Sequence, residues 1–325
     1  MQLPRRSFLH LAAGAAALPA VPRAAMALDY PSRPVRIIVG FPAGGPTDIF
    51  ARLMGRWLAQ RLGQPFVVEN RPGAGSTIGI ASVAGAPADG HTLLLVSTSA
   101  VISASYYKNL SFQIIRDIAP VCGIALEPLV MVVNPAVPAK SAPEFIAYAE
   151  ANPGKIVMAS VGNGTTPHLA GELLKLMAKI NLLHVPYQGA APALTDLLAG
   201  RADVMFEAMP TLVGYIKSGK LRALAVGTKT RSPVFPELPT VAEFLPGYEA
   251  AVWFGIGAPA KTPQEIVERL NTEINAGLND AALHARIGEL GGVPLTGSSA
   301  DFRKLFVDDA QKWAKVMRDA NVKPE

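Results

Sequence analysis

Short apolar runs alternate with helical periodicity along most of this chain. The runs at 35–39, 66–69 and 93–96 are rich in Val, Ile and Leu, which predicts strands. A Gly-rich or Ser/Thr-rich segment follows each run, and apolar residues then recur at helical spacing, as at Ile49 and Leu53. Three such strand–loop–helix units in a row predict a mostly parallel sheet with helices on both faces.

A second set of units begins near residue 129. Its strands are predicted at 129–133, 156–160, 183–187, 202–206 and 221–226. After a proline-rich stretch and a strand-like run, helices are predicted at 263–278, 281–290 and 300–316.

The apolar runs near 129–133 and 251–257 are the natural crossing points between two α/β lobes. The first lobe is predicted over 28–128 plus 251–325, and the second over 129–250. In such a protein a ligand lies between the lobes, at the carboxyl ends of parallel strands.

The N-terminus carries the three parts of a secretory signal peptide. Arg5 and Arg6 form a positively charged segment, an Ala/Leu-rich segment follows, and Ala25-Met26-Ala27 is a small-x-small cleavage site. The arginine pair resembles a twin-arginine export signal, with an ordinary Sec signal or a buried first helix as alternatives. Cleavage after Ala27 predicts a mature protein in the periplasm.

Charge and cysteine content limit the possible partners. Arg5, Arg6 and Arg23 leave with the signal, which lowers the formal charge from +5 to +2. With so small a charge and no basic block, no nucleic-acid partner is expected. Cys122 is the only cysteine, so it forms no internal disulfide and is predicted to be a small buried hydrophobe. We expect the protein to be a monomer.

Four Gly-, Ser- or Thr-rich loops follow strands and begin helices. They are Ala43-Gly44-Gly45-Pro46-Thr47, Gly73-Ala74-Gly75-Ser76-Thr77, Ser97-Thr98-Ser99 and Gly162-Asn163-Gly164-Thr165. Glycine lets the backbone approach a ligand, and the first N–H groups of a helix lack intrahelical partners. The helix dipole adds to their attraction for an anion. Each loop alone also fits a tight connection, but four of them facing one cleft favour a carboxylate ligand.

Other residues near strand ends are candidates to contact the same ligand. The segments Tyr187-Gln188-Gly189-Ala190 and Phe206-Glu207 follow strands of the second lobe, with packing against the hinge as the alternative. His168 begins a helix, where a structural role is the alternative. Asp203 lies near a strand end, where it either contacts the ligand or braces a loop. Asp48 lies at a helix start, where capping its own helix is the simplest role.

The sequence lacks the motifs of cofactor, metal and catalytic sites. Residues 73–79 approach a dinucleotide fingerprint, but Ile78 occupies the position of its last glycine. The histidines are scattered singly, without metal-ligand spacing, and no G-x-S-x-G turn occurs. We therefore expect no cofactor, no metal and no catalytic residue. An exported hydrolase that uses His168 or Glu207 is the alternative.

Long motifs follow one another in order over the mature chain. The first begins at Tyr30 and ends with Phe41-Pro42-Ala43-Gly44-Gly45-Pro46-Thr47-Asp48. Others are Val68-Glu69-Asn70-Arg71-Pro72-Gly73-Ala74-Gly75, Ala88-Asp89-Gly90-His91-Thr92-Leu93-Leu94 and Gly219-Lys220-Leu221-Arg222-Ala223-Leu224-Ala225-Val226. In these motifs the chain resembles the receptors of tripartite tricarboxylate transporters, also called the Bug family.

The resemblance implies an extracytoplasmic solute receptor with a two-lobed periplasmic-binding-protein (type II-like) fold. In the family, the loops that match Ala43–Thr47 and Gly162–Thr165 hold a ligand carboxylate through backbone N–H groups, hydroxyls and water. The stretches that match Gly75-Ser76, Ser97–Ser99 and Tyr187–Ala190 line the cleft. The implied partners are a small organic carboxylate and the membrane subunits of a tripartite transporter, with a membrane sensor kinase as the alternative receiver.

Three positions depart from the family pattern. Gly75-Ser76 stands where the family often has Gly-Gly, and Thr165-Thr166-Pro167-His168 where it often has Ser-x-x-His. Glu207 follows Met205-Phe206, where the family commonly has Asp. Because the longer acid changes the space and charge beside the ligand, the resemblance does not specify which carboxylate is bound.

Overall fold

The computed structural model describes residues 30–323, so the predicted signal peptide lies outside the described residues. Its strands are β1 (Val35–Val39), β2 (Phe66–Asn70), β3 (Thr92–Ser97), β4 (Ile118–Val133), β5 (Val157–Ser160), β6 (Leu183–Pro186), β7 (Val204–Ala208), β8 (Arg222–Val226), β9 (Ala251–Pro259) and β10 (Val293–Pro294).

Helices connect these strands and cover the sheets. They are α1 (Pro46–Leu62), α2 (Thr77–Ala84), α3 (Thr98–Tyr106), α4 (Ile114–Asp117), α5 (Ala142–Ala151), α6 (Thr166–Ala178), α7 (Ala190–Leu198), α8 (Val213–Lys217), α9 (Gln264–Leu278), α10 (Ala281–Glu289) and α11 (Ser299–Asp319). Over residues 30–323, none of the helices is both long enough and apolar enough to span a membrane.

The first sheet combines strands from both ends of the chain, in the order β2-β1-β3-β9-β4. β1 pairs in parallel with β2 and β3, whereas β9 pairs antiparallel with β3 and β4. The part of β4 from Ile118 to Pro128 belongs to this sheet. The short β10 also pairs with β4, at Ala125 and Leu126. These strands and their helices form the first lobe.

β4 then continues into the second sheet. From Leu129 onward it pairs antiparallel with β7 and β8, and β5 pairs in parallel with β6 and β7. One strand of 16 residues therefore runs through both lobes. The chain returns from β8 of the second lobe to β9 of the first between Val226 and Ala251.

Alternation along β1 explains how both faces of the first sheet are covered. Ile37 packs into a core that contains Phe50 of α1, whereas Ile38 packs into a core on the other face with Ile80 of α2 and Phe306 of α11. Burying an apolar face removes its surface from water, which contributes about 25 cal/mol of folding free energy per Å². The two-lobed α/β fold expected from the sequence is confirmed.

Pairing in the sheets is mixed rather than mostly parallel. The units β1–β3 and β5–β7 are parallel as predicted, but β4 and β9 run antiparallel to their neighbours. The sequence predicts only 129–133 of β4. Its earlier part contains Pro120 and Gly123 at shifts in the register with β9, and such irregularities interrupt the strand pattern.

The change of partners in β4 bears on the predicted domain division. It occurs between Pro128 and Leu129, and β9 begins at Ala251. Both positions support the division that the sequence predicts. We propose that the first lobe comprises residues 28–128 plus 251–325 and the second lobe residues 129–250.

Candidate functional site

A space between the lobes is here called the first cavity. Hydroxyls of Thr47, Ser97 and Ser99 and the carboxyl of Glu207 provide its polar side chains. The remaining lining residues are Phe41, Pro42, Gly45, Pro46, Leu129, Val161, Pro167, Ala190, Ala208, Val252 and Phe254. The first cavity is therefore a mostly apolar chamber with a few polar groups, as is usual for small-molecule sites.

A second cavity adjoins the first, because Phe41, Pro42 and Val161 line both. Its other lining residues are Gly40, Pro72, Gly73, Ala74, Gly75, Ser76, Tyr107, Gly162, Asn163, Pro186, Tyr187, Gln188 and Gly189. We call the two cavities together the cleft. Ala74 and Ser76 have φ values of +43° and +86°, a strained left-handed conformation that often marks functional sites.

Four helices begin at the wall of the first cavity, namely α1, α3, α6 and α7. The N-cap residues of α1, α6 and α7, which are Gly45, Thr165 and Gly189, make no side-chain cap hydrogen bond. The positive ends of the helix dipoles favour an anion in this space. They act without basic side chains, since no Lys or Arg of the described residues lines either cavity.

Direct hydrogen bonds join the lobes beside the cleft. The Thr166 amide donates to Ser99 Oγ over 3.0 Å, and the two hydroxyl oxygens are 2.9 Å apart. Ser103 Oγ donates to the Gly164 carbonyl over 3.0 Å. These bonds hold α3 of the first lobe against the start of α6 in the second, so the lobes are in a closed arrangement.

The structure brings many of the predicted residues to the cleft. On the first cavity lie Gly45, Thr47, Ser97, Ser99, Ala190 and Glu207, and on the second lie Gly75, Ser76, Gly162, Tyr187, Gln188 and Gly189. The Tyr187 hydroxyl donates to Asp196 Oδ2 over 2.7 Å, and Arg201 donates to the same carboxylate. The loop before α7 is thereby held in place.

Neither Ala43, Gly44 nor Asp48 lines the cleft: Ala43 and Gly44 are exposed, and Asp48 is buried. The Gly44 amide donates to Asp48 Oδ2 over 3.0 Å, and Arg52 and Asn70 donate to the same carboxylate. Burial alone would raise the pKa of Asp48, but these hydrogen bonds hold that pKa below its ordinary value. Asp48 therefore shapes the loop that faces the first cavity.

His168 supports the 162–165 loop from the protein side. Its Nδ1 accepts a hydrogen bond from the Gly164 amide over 3.2 Å, and its ring stacks on His184 with 4.0 Å between centroids. Burial is the largest cause that lowers the pKa of His168 to about 3, and the nearby His184 and Lys175 act in the same direction. The ring is therefore neutral at pH 7. The Thr165 hydroxyl also stays within the loop, donating to the Gly162 carbonyl over 2.7 Å.

Thr98, Asp203 and Phe206 also lie away from the cleft. Thr98 Oγ1 accepts from the Trp253 amide over 3.0 Å. Asp203 precedes β7, at the opposite edge of the sheet from the cleft, where it accepts from the amide that begins β5 over 2.7 Å. The predicted strand 202–206 lies two residues before the observed β7. Phe206 packs into the core because it alternates with Glu207 along the strand.

Glu207 is a buried acid on the wall of the first cavity. Only 2% of it is exposed, and its Oε1 accepts from the Ala208 amide over 2.8 Å. Its Oε2 has no hydrogen-bond partner among the described residues. Burial raises the pKa of Glu207 to about 8, although the Ala208 amide acts in the other direction.

Sequence reasoning missed the apolar part of the wall. Phe41, Leu129, Val161, Val252 and Phe254 all line the first cavity. In a sequence, an apolar residue at a cleft resembles one in the core. The sequence does give one indication that such residues line the cleft, because Leu129 and Val252 lie in the segments that pass between the lobes.

Metal binding has little support in the part of the chain that the structure describes. No group of three or more His, Cys, Asp or Glu side chains there is arranged to hold a metal ion.

Comparison with known proteins gives a consistent picture. The family model for the tripartite tricarboxylate transporter family receptor matches residues 50–322. Protein BugT of Bordetella pertussis is 39% identical over 297 residues, which cover 90% of this chain and 91% of that protein.

Two solved structures are also similar. R. palustris Rpa4515 with adipate is 35% identical, with a TM-score of 0.88 and coverage of 91% of this chain and 100% of that one. MatC from Rhodopseudomonas palustris with bound malate is 31% identical, with a TM-score of 0.83 and coverage of 88% and 99%. Both of those proteins were solved with a carboxylic acid.

Proposed function

Because this chain belongs to the family of tripartite tricarboxylate transporter receptors, also called the Bug family, we propose that it binds a small organic carboxylate in the periplasm. The receptor closes on the ligand and delivers it to the membrane subunits of a tripartite transporter. Closure is a population shift, driven by a ligand that contacts both lobes.

One observation carries the choice of ligand class. Four helices from both lobes begin at the first cavity, and the N-cap residues of three of them make no side-chain cap hydrogen bond. Thr47, Ser97 and Ser99 add hydroxyl donors. A carboxylate placed there accepts amide and hydroxyl hydrogen bonds and lies at the positive ends of the helix dipoles. The adipate and malate in the two R. palustris proteins further support this class.

A role as an enzyme has less support. The two hydrolase candidates are separated, since Glu207 lines the first cavity while His168 accepts from the Gly164 amide behind the 162–165 loop. A receptor without catalytic residues fits this arrangement better.

A thermal-shift screen tests the ligand class. The mature protein is freed of co-purified ligand by unfolding and refolding, then heated with a panel of mono-, di- and tricarboxylates. Binding to the folded state alone raises the midpoint as ligand concentration exceeds Kd. Stabilisation by at least one acid is expected, and stabilisation by none of them would contradict the proposal.

The delivery step needs a test in cells. Deleting the gene is expected to abolish uptake of the radiolabelled acid that the screen identifies, and to leave uptake of an acid that does not bind unchanged. Normal uptake with a lost transcriptional response would instead favour delivery to a sensor kinase. We also propose that the mature receptor is a monomer, which light scattering coupled to size exclusion tests.

A further inference from the structure

Glu207 has an arrangement that the proposed function does not explain. It lies near the carboxyl end of β7, in the wall of the first cavity. The Ala208 amide donates to Oε1, and Oε2 has no partner among the described residues. A buried polar atom without a partner costs free energy, so this atom is a candidate to receive one from a ligand.

No charged side chain beside Glu207 stabilises a negative charge on it. Burial raises the pKa of Glu207 to about 8, with no charged group among the causes. The elements around it carry other titratable groups, but none of them forms a hydrogen bond to Glu207. These groups are Glu127 on β4, Arg222 on β8, Tyr187 before α7, Asp196 on α7, Asp48, Arg52, Arg56 and Arg61 on α1, and His168, Glu172 and Lys175 on α6.

A neutral carboxyl in this position is a hydrogen-bond donor. Because Oε1 accepts from Ala208, Oε2 is the oxygen that is left to carry the proton. That proton needs an acceptor, and no described side chain or backbone group supplies one. A ligand oxygen within the cavity would satisfy it.

The same cavity disfavours a cationic ligand group. The N-termini of α1, α3, α6 and α7 all meet its wall and make its potential positive. An ammonium group there would be repelled by these dipoles, whereas a carboxylate, amide or carbonyl oxygen would not. The two observations, a partnerless buried acid and a positive cavity, point to the same kind of ligand group.

We propose that Glu207 acts as a neutral hydrogen-bond donor to the second polar group of the ligand, at the end opposite the carboxylate. The receptor therefore selects acids whose far end is an oxygen acceptor and discriminates against amino acids whose far end is an ammonium. This inference rests on the proposed function, because it assumes that a carboxylate occupies the helix N-termini.

The proposal fixes the sign of the pH dependence. Ligand binds the protonated form of Glu207, so affinity is constant at pH values below the pKa that Glu207 has without ligand, which burial in the closed arrangement raises to about 8. Above that value a proton must be taken up with the ligand, and affinity falls about tenfold per pH unit. If Glu207 instead paired as a carboxylate with a ligand cation, affinity would rise with pH over the same range.

A series of ligands with six-carbon chains tests the selectivity. The probes are adipate, adipic acid monoamide, hexanoate and 6-aminohexanoate, which differ only in the far group. Calorimetry at pH 7 is expected to show that adipate and the monoamide bind at least about tenfold more tightly than hexanoate, with 6-aminohexanoate the weakest. The monoamide matters because its far end does not titrate between pH 6 and pH 9.5.

Variants of Glu207 separate a donor from a charge. Glu207→Gln keeps a donor, so monoamide affinity should fall only severalfold and lose its dependence on pH. Glu207→Leu removes the donor and should lose about tenfold or more. Glu127→Gln is the matched control, since Glu127 is also a buried acid without partners but lies outside the cleft. It should keep the wild-type pH profile, and thermal melts confirm that each variant folds.

The outcomes of this experiment are distinct. Tightest binding by 6-aminohexanoate, or loss of adipate binding in Glu207→Gln, would overturn the inference while leaving a carboxylate receptor in place. A flat wild-type pH profile for the monoamide would do the same. If no member of this series binds, nor any of succinate, succinamate, butyrate and 4-aminobutyrate, the proposed function fails and the inference with it.

Discussion

The Ser99 hydroxyl accepts a hydrogen bond from the Thr166 amide over 3.0 Å, which ties the first lobe to the second. Both residues are buried, and their hydroxyl oxygens are 2.9 Å apart. Ser99 also lines the first cavity. The Ser99 side chain therefore contacts both the second lobe and the cavity in which a ligand would lie.

Replacement of Ser99 is expected to favour the open receptor. Ser99→Ala removes the acceptor of the Thr166 amide, which costs about 1 kcal/mol, or about fivefold in affinity for a ligand that needs closure. Calorimetry measures the affinity, and small-angle scattering should show a larger radius of gyration without ligand. Ser82→Ala is the control, because Ser82 bonds within its own helix. Equal affinities in wild type and Ser99→Ala would contradict this role.

Asp48 should contribute to stability in a pH-dependent way. Hydrogen bonds from Arg52, Gly44 and Asn70 outweigh burial and lower the pKa of Asp48 below 3.8. A depressed carboxyl pKa gives stability that is present above the unfolded-state value and is lost as the pH falls through the folded-state value. Asp48→Asn should lower the free energy of unfolding by about 1 kcal/mol at pH 7, given the exposure of Arg52.

Urea unfolding at pH 7 and pH 3 measures this effect. The difference between wild type and Asp48→Asn should narrow at pH 3, where Asp48 is increasingly protonated. Asp319→Asn is the control, since its partner Lys315 lies with it on the exposed face of α11. A difference in unfolding free energy that stays constant with pH would show that the charge of Asp48 does not contribute to stability.

The sequence predicts the loops of the cleft because parallel strands expose their carboxyl ends at one edge of a sheet. That rule finds Ser97, which ends β3, and Thr47 and Gly162, which follow β1 and β5. It fails for Asp203, since a shift of two residues in a predicted strand moves a residue from one edge of the sheet toward the other.

Hydrogen-bond partners distant in sequence cannot be read from a local pattern. The sequence marks Asp48 as a helix-start acid, but its contact with Asn70 depends on the pairing of β1 with β2. The sequence likewise does not show that Glu207 is left without a partner. Alternation along a strand does predict that Phe206 and Glu207 lie on opposite faces of β7, so this part of the geometry follows from the sequence.

Glu127 should destabilise the protein as the pH rises. It is fully buried on β4, both of its oxygens lack partners among the described residues, and burial raises its pKa well above the usual 4.5. For an acid with a raised pKa, the folded state loses stability as the pH rises from the unfolded-state pKa to the folded-state pKa. The limiting slope is about 1.4 kcal/mol per pH unit.

Glu127→Gln removes this penalty without changing the shape of the side chain. The variant should be more stable than wild type at pH 7.5, with a smaller difference at pH 4.5, as measured by urea unfolding. Ligand affinity should stay the same, because Glu127 lines neither cavity. A variant less stable than wild type at both pH values would indicate that Glu127 has a stabilising partner.

Cys122 should matter for stability and not for ligand binding. It is fully buried, and its Sγ lies 3.5 Å from Asn275 Nδ2 and 3.8 Å from the Gly297 carbonyl oxygen. Cys122→Ser places a more polar hydroxyl in the same site and should cost about 1–2 kcal/mol of unfolding free energy. Calorimetric affinity should not change, and a large loss of affinity would show that Cys122 acts on the cleft.

Gly164 offers a test of closure by steric means. It has φ +64°, and a Cβ atom there would lie 2.5 Å from Cγ of Tyr106 in the other lobe. Gly219 has a similar φ of +69° with nothing within 4 Å of its Cβ position. Alanine at either site costs about 1–2 kcal/mol of backbone strain, but only Gly164→Ala also pushes the lobes apart. It should lower ligand affinity about tenfold or more, whereas Gly219→Ala should lower stability alone. Calorimetry and urea unfolding of the two variants separate these effects, and equal affinities would show that the contact between Gly164 and Tyr106 is not needed for the bound state.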